Sequence, residues 1–543
     1  MKNTGLSLID IVLILAVALV VIVVASTSPM AGDFAWSDAP RHGLNGIFLL
    51  DALRALPFED PRAWAEAYYL KYPALTILFY PPLFSGVLAF SYSLFGFSHE
   101  TAQWTVVVFH VAAGVGLYVL ARNWLSPVLA FSAAIAFVAA PEFGLWARQV
   151  MLDAPAFAWL IWSVVFLFRY VRSDQTVSLV LAAAFFACAL YTKQTAVFAA
   201  LPMMLLLVRT KGFSFLWSRR ALVLGAVFLL AMVPLVLLQL KYGAVNTASV
   251  LGSARDDMSR LSLVAWTYYL SVMPLQLGWP LLLLGAGYLA AALVSPSWRI
   301  DRPAFQFLVA WVGTGYLLFS LIMVREPRHD LMALWPIAVF AMLMIDRAMR
   351  HWGTRASQAI GCGVAVLVAG FSVFWSVAVI EVPYVKGYRQ VAALVGANSP
   401  PRSNVLFSGY RDGSFIFNVR ALDRSDLGVI RADKLLLRVA IERERGVEER
   451  DVRRAEVVDY FPKYRIRYVV AQRDFWQDLD SMAMLNEVLS DPDLFARVET
   501  VEPVANYNNS DAMIDVYRYL GDIADEPAPL TLDMVGIGET FSQ

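Results

Sequence analysis

Eleven apolar runs, spaced along the first 380 residues and separated by short charged loops, constrain this chain more than any other feature. They cover 8–28, 103–121, 128–146, 155–171, 177–193, 195–209, 221–240, 280–295, 304–324, 331–346 and 358–380. A helix of about 20 apolar residues crosses a bilayer, so most of the chain is expected to lie in lipid. Composition agrees, with 59% of residues apolar and 16% charged, against about 25% charged in soluble domains. The first run is read as a span rather than a cleaved signal peptide, because it is long enough to cross and many spans follow it. Two further runs, 80–97 and 263–279, are interrupted by Tyr, Pro and Gln. Counting them, the expectation is an all-α polytopic bundle of about 11–13 transmembrane segments.

Net charge is zero and the two cysteines, Cys188 and Cys362, sit inside apolar runs. No global field points to nucleic acid, and neither a disulfide framework nor a cysteine metal site is available. Orientation follows from the loops. Arg209, Lys211, Arg219 and Arg220 form the richest short cluster, and Arg169/Arg172, Arg299/Arg302 and Arg347/Arg350/Arg355 are the others. Such clusters prefer the cytoplasm. With Lys2 also inside, the eleven runs alternate only if 80–97 and 263–279 are re-entrant or interfacial at the outer face; alternatively 80–97 crosses and a neighbour does not. The outer side then receives loop 29–79, region 147–154, the surroundings of Lys193, loop 241–279, loop 325–330 and everything after about Tyr384.

Two units are expected: residues 1–383 in the membrane, with the outer loop 29–79, and residues 384–543 as a non-cytoplasmic α/β domain. In the latter, strand-like runs at Asn404–Ser408, Phe415–Val419, Tyr468–Ala471 and Ile514–Tyr519 alternate with helical stretches at 431–445 and 475–489. No glycine-rich phosphate motif occurs there.

Charges near membrane level are costly and concentrate where function needs them. The outer stretches hold Trp36-Ser37-Asp38 with Arg41 and His42, then Asp51, Glu59, Asp60 and Lys71; Arg148 and Asp153 beside Pro155; Thr192-Lys193; and Arg325-Glu326-Pro327-Arg328-His329-Asp330. Carboxylates and cations facing one cavity suit transfer of a sugar from a lipid phosphate to a hydroxyl. A carboxylate accepts the hydroxyl's proton, and cations stabilise the departing phosphate. Each residue also has a structural reading. Asp38 is a turn residue, Asp153 an N-cap, Lys193 a snorkelling lysine, and Arg325 with Arg328 headgroup anchors. Glycine spacings in 358–380 predict helix packing only. His42 and His329 lack metal-ligand spacing, so the sequence gives a metal site only weak support; no cofactor is certain and a divalent metal stays open.

Taken in order over residues 8–346, these motifs resemble the polyprenyl-phosphate-dependent transferases that include protein O-mannosyltransferases and lipid A aminoarabinose transferases. Trp36-Ser37-Asp38 resembles the acidic motif after the first span, and Tyr80-Pro81-Pro82-Leu83 the family's Lys-Pro-Pro-Leu. Ala147 to Pro155 resembles Ala-Arg-x-x-x-Leu-Asp-x-Pro, Thr192-Lys193 resembles Thr-Lys-Gly, and Arg328 to Pro336 the basic-aromatic motif before a proline-containing span. Ala39 stands where a second acid is usual, Tyr80 where a Lys is usual, and His329 where a Tyr is common.

The resemblance implies a C-type glycosyltransferase fold in a bacterial inner membrane, a polyprenyl-phosphate-linked sugar donor and an acceptor of unspecified class. It makes Asp38 the general base and Asp153 its support or the donor-orienting group. Tyr80, Arg148, Lys193, Arg325, Arg328 and His329 become substrate-binding residues. A transporter or flippase for a lipid-linked substrate is the rival class, but charges gathered at one face without an internal repeat speak against it. An inactive scaffold is the other alternative, suggested by Ala39 and Tyr80.

Overall fold

A computed structural model describes residues 7–543 apart from 244–259, 440–442, 444–445, 507–511, 535–538 and 543. Among the described residues seven helices are long and apolar enough to cross a membrane: Leu8–Ala25, His99–Ala121, Asp153–Ser173, Arg219–Tyr242, Arg302–Leu321, Leu331–His351 and Arg355–Val379. An eighth span arises if Pro127–Val138 and Pro141–Ala147, bent by 67° at their junction, are counted together. Run 128–146 is thus broken rather than straight, because Pro141 opens a new helix. Other expected spans form shorter apolar helices, Thr176–Leu190 and Trp279–Val294. Run 195–209 begins as a 3₁₀ turn, Gln194–Ala199, before Ala200–Lys211.

The two interrupted runs are short helices, Leu83–Phe95 and Leu263–Leu277, of 13 and 15 residues. At about 1.5 Å per residue each is shorter than a ~30 Å hydrocarbon core. Much of expected loop 241–279 lies outside the described residues. The chain is an integral membrane protein, and leucines at 15, 19, 229, 230, 237, 240 and 367 stay exposed on helices whose surroundings are lipid.

Individual elements follow local rules. Ser7 and Asp10 form a reciprocal cap at the first helix. Asp10, buried beside the bundle, accepts from Tyr118 Oη at 2.6 Å and Arg122 Nε at 2.7 Å, so its charge is paired. Gly361 explains part of the glycine spacing in 358–380, since a Cβ there would come 2.3 Å from Met349 Cγ. Gly363 and Gly370 have open space instead.

Loop 29–79 is largely helical. Helix Asp38–Ala55 packs against Leu83–Phe95 through Gly46, where a Cβ would meet Leu88 Cβ at 2.7 Å. Asp60 caps the next helix, Pro61–Lys71, by accepting from Ala63 N at 2.9 Å.

Beyond Tyr384 the chain builds a five-stranded sheet in the order Gly428–Arg431, Asn404–Ser408, Ile466–Gln472, Ile514–Tyr519, Phe495–Val501. The first three strands are parallel and the last two pair antiparallel. Two sequence expectations fail here. Phe415–Val419 belongs to helix Asp412–Ala421, not a strand. Its apolar run is continuous because Phe415, Ile416, Phe417 and Val419 are all buried, and short buried runs do not distinguish helix from strand. Stretch 431–445 is not one helix but a short helix, Ala432–Leu436, followed by strand Leu437–Val439, with part of the remainder outside the described residues. The helix expected at 475–489 begins at Asp480. Helix Asp412–Ala421 leaves the carboxyl end of strand Asn404–Ser408 and lies on helix Asp38–Ala55, joining the sheet to the membrane bundle.

Candidate active site

Four separated sequence segments meet where helix Asp38–Ala55 starts. Asp38 is the first residue of that helix, not a turn residue. Arg328, in the turn before the helix beginning at Leu331, donates from Nη2 to Asp38 Oδ2 at 3.3 Å and from Nε to Glu326 Oε2 at 2.6 Å. Its guanidinium also lies 4.7 Å from the Trp146 ring and 5.6 Å from that of Trp36, and the residue is 8% exposed. Two aromatic faces and two carboxylates therefore hold one cation in a fixed plane. Burial opposes its charge, but Glu326, Asp153 and Asp38 outweigh that and keep it firmly protonated.

Beside this group Lys193 Nζ donates to Asp153 Oδ1 at 2.7 Å. Asp153 is the first residue of its helix; the cap position belongs to Leu152, so the N-cap reading does not hold. Arg328 and His329 are within electrostatic reach of Asp153, which joins the two pairs into one charged cluster.

Asp38 remains an acceptor. Burial pushes its carboxyl up, yet Arg328, His42 and Arg41 and the bond from Arg328 hold it below the usual aspartate range. Burial keeps His42 neutral near pH 7, with its pKa pushed down to about 4, so the arginines carry that effect at neutrality. Tyr80 packs edge-on against His42 at 4.7 Å, and burial together with the Asp38 charge holds its hydroxyl well above its ordinary pKa. His329 is neutral as well, pushed down to about 3 by burial and then by Lys193 and Arg328. Its Nδ1 lies 3.2 Å from the Val324 carbonyl, which fixes that nitrogen as the protonated one.

Arg325 donates to the Met323 and Ser320 carbonyls at 3.4 and 3.2 Å, and its Nε is buried without a hydrogen-bond partner among the described residues. Arg148 points elsewhere. Its three nitrogens reach Gly144 O at 2.9 Å, Thr27 Oγ1 at 2.9 Å and Ser376 Oγ at 3.2 Å, tying three parts of the bundle together at 1% exposure. The other charges of loop 29–79 are also engaged or open: Asp51 accepts from Tyr68 Oη at 2.7 Å and pairs with Arg420, Lys71 donates to the Ser425 carbonyl, and Glu59 is exposed.

Some contributors were not singled out from sequence. Glu142 accepts from Trp146 Nε1 at 2.7 Å and so orients one of the rings over Arg328. Gln276 donates to the Pro327 carbonyl at 2.6 Å and to Asp330 Oδ1 at 2.5 Å, which holds the turn bearing Arg328. Burial raises Asp330 to about 7, against the lowering effect of Gln276. A polar residue inside the apolar run 263–279 was the available signal for Gln276. Among the described residues no three His, Cys, Asp or Glu side chains gather as a metal site, so the cluster does not fit a metal held by protein ligands alone.

An apolar groove of 440 Å³ opens close by, lined by Pro82, Leu83, Gly86, Val87, Phe90 and Tyr191. Its walls are fastened to each other by the bond from Leu83 N to the Tyr191 carbonyl, 3.1 Å, and Tyr80 and Lys193 flank these wall segments in sequence.

Residues 80–238 match the model of the dolichyl-phosphate-mannose-protein mannosyltransferase family. That segment holds Tyr80, Arg148, Asp153 and Lys193 but not Asp38 or the arginine turn. No curated protein matches the chain. Among solved structures, ArnT from Cupriavidus metallidurans bound to undecaprenyl phosphate superposes with a TM-score of 0.60 at 16% identity, over 93% of this chain and 97% of that one. Arabinofuranosyltransferase AftD from Mycobacteria gives 0.53 at 16% identity, over 98% of this chain and 43% of that one. The oligosaccharyltransferase AglB from Archaeoglobus fulgidus, in complex with an inhibitory peptide and a dolichol-phosphate, gives 0.52 at 12% identity, over 94% and 74%. The chain thus has the C-type glycosyltransferase fold along nearly its whole length, and its segment 80–238 carries the sequence pattern of the dolichyl-phosphate-mannose-protein mannosyltransferase family.

Proposed function

We propose that the protein moves a sugar from a polyprenyl-phosphate donor to an acceptor hydroxyl at the non-cytoplasmic membrane face. The observation that carries this reading is Arg328, a buried guanidinium shared between a carboxylate able to accept a proton and a cluster able to hold phosphate. The solved relatives with undecaprenyl phosphate and dolichol-phosphate bound support the donor class.

In this reaction the acceptor oxygen attacks the anomeric carbon and gives its proton to Asp38. The bond from that carbon to the phosphate oxygen breaks, and polyprenyl phosphate leaves with the electron pair. Lys193, Arg325 and Arg328 stabilise its growing charge. Phosphate drawing on Arg328 relaxes the grip of that arginine on Asp38, so the carboxylate gains basicity when the donor is in place. Asp153 holds Lys193 and orients the donor sugar, and Tyr80 and His329 shape the polar wall. Arg148 acts from behind, bracing the segment that leads to Asp153. The groove beside Pro82 and Tyr191 receives the first isoprene units.

Transfer from a radiolabelled polyprenyl-phosphate sugar by the purified protein in liposomes tests the reading directly. A groove-filling variant sharpens it. A Cβ added at Gly86 meets nothing within 4 Å, so Gly86→Leu starts a side chain in open space at the groove wall. KM for a long-chain donor is expected to rise by roughly tenfold, the scale of one to two kcal/mol of displaced apolar contact, and KM for a short-chain donor to change little. Absence of transfer from every polyprenyl donor class, with ordinary lipid export instead, would replace the enzyme reading with the transporter one.

Sidedness is tested separately. Glu59 and Arg453 are both exposed, and cysteines placed there in a cysteine-free background are expected to react with an impermeant reagent added outside. Reaction of either position from the cytoplasmic side alone would overturn the orientation.

A further inference from the structure

The segment that delivers Asp38 is held from the C-terminal region, residue by residue. Asp33 accepts from Tyr388 N at 2.9 Å, Arg389 N at 3.1 Å and Asn418 Nδ2 at 2.6 Å. Phe34 packs edge-on against Phe417 at 4.7 Å, and Arg411 donates to the Ala35 carbonyl. Gly413 lies so close to Pro40 that a Cβ would come 2.8 Å from Pro40 Cγ. The first turn of helix Asp412–Ala421 therefore sits directly on the first turn of helix Asp38–Ala55.

At that contact Arg41 Nη2 reaches Asp412 Oδ1 at 3.3 Å and Oδ2 at 3.4 Å. Asp412 is buried and also takes a bond from Arg431, which in turn pairs with Asp433. Arg41 stands three residues after Asp38 on one helix, a spacing that places two side chains on the same face. Without Asp412, Arg41 would be drawn to Asp38, which already accepts from Arg328. A second guanidinium on that carboxylate lowers its basicity and takes up one of the oxygens that would accept a proton.

We propose that Asp412 is a positioning residue for Asp38, acting through Arg41. By holding the Arg41 guanidinium against the C-terminal region, it leaves the Asp38 carboxylate open to the acceptor. This rests on Asp38 being the proton acceptor. The charged and titratable groups facing Asp38 are Arg328, His42, Arg41 and Tyr80, and those facing Asp412 include Arg41, Arg431, Lys434 and Tyr69.

The test uses the full chain in nanodiscs, with Asp412→Asn, Arg41→Gln, the double variant and Asp38→Asn assayed together for kcat, donor KM, the pH profile of kcat and Tm. Asp412→Asn is expected to lower kcat by roughly tenfold, the scale of one added charge-assisted hydrogen bond to the base, with donor KM little changed. Its acidic limb moves to lower pH, because an added guanidinium favours the ionised carboxylate. The double variant regains most of the lost kcat, since the displaced guanidinium is gone. Unchanged kcat in Asp412→Asn, or a loss that Arg41→Gln fails to relieve and that follows Tm, overturns the proposal and makes the contact structural. Should Asp412→Asn alone not fold, the comparison moves to the Arg41→Gln background. There, adding Asp412→Asn is expected to change kcat by less than about twofold, the non-additivity of coupled sites, and a larger loss overturns the proposal. Asp38→Asn inactive with Asp412→Asn normal removes only this inference, whereas Asp38→Asn fully active removes the assignment of the base itself.

Discussion

Asp38→Asn is expected to abolish sugar transfer while leaving donor binding in place. The substitution keeps the size of the side chain and an oxygen for Arg328, so the helix start and the arginine turn have no steric reason to move. It removes the one property that proton acceptance needs, a basic carboxylate. General-base catalysis contributes about 10²–10⁴-fold, and turnover should fall by that factor. Donor affinity should hold within a few-fold, because Lys193, Arg325 and Arg328 all remain. The pH dependence supplies a second readout. Burial raises Asp38 but Arg328 and Arg41 outweigh it, so the folded carboxyl titrates below the ordinary aspartate range. In the donor-free protein its charged form, and with it kcat/KM, is present at neutral pH and is lost only as pH falls through that depressed value. In Asp38→Asn this acidic limb disappears from whatever activity remains. Glu59→Gln is the natural control, since Glu59 is an exposed acid of the same sequence region. Full activity in Asp38→Asn would exclude it as the base and leave Asp153 as the next candidate.

The membrane bundle was legible in the sequence because hydrophobic length is a signal read without tertiary information. The count of spans was not. Pro141 turns one run by 67°, and several runs make helices too short to cross alone. Asp38, Asp153, Lys193 and Arg328 were legible as paired charges for a different reason: each is a charge beside an apolar run, where only a partner makes it tolerable, and the structure supplies each with one. Arg148 shows the limit of that reasoning. It met the same criterion, yet its partners are Thr27 and Ser376, and the sequence does not say which of two buried polar environments an arginine will find. Helix Asp412–Ala421 was misread as a strand for a related reason, since burial on most of its surface erased the periodicity that would have marked it. Its pairing with Arg41, 371 residues away, has no local signature at all.

Arg328→Ala is expected to weaken the donor most among the cation variants, and Arg328→Lys to fall between it and the native protein. Each charge-assisted hydrogen bond to a phosphate oxygen contributes about 1.5–3 kcal/mol, so losing one lowers donor affinity by roughly 10- to 150-fold. Lysine keeps the charge but loses the planar fork that spans two acceptors and reaches the rings of Trp36 and Trp146. Alanine also leaves Asp38 and Glu326 without their arginine; breaking a fully buried pair costs about 3–5 kcal/mol, and the partial exposure of these two carboxylates makes the loss smaller. A lower Tm should therefore accompany the affinity loss. The pH profile separates this role from simple damage. With Arg328 gone, burial of Asp38 acts with less opposition and its pKa rises, so the acidic limb of kcat moves up in pH. That is the opposite of the shift expected when Arg41 is released onto the same carboxylate. Unchanged donor affinity in both variants, with the acidic limb unmoved, would assign Arg328 to the lipid headgroups and separate it from Asp38.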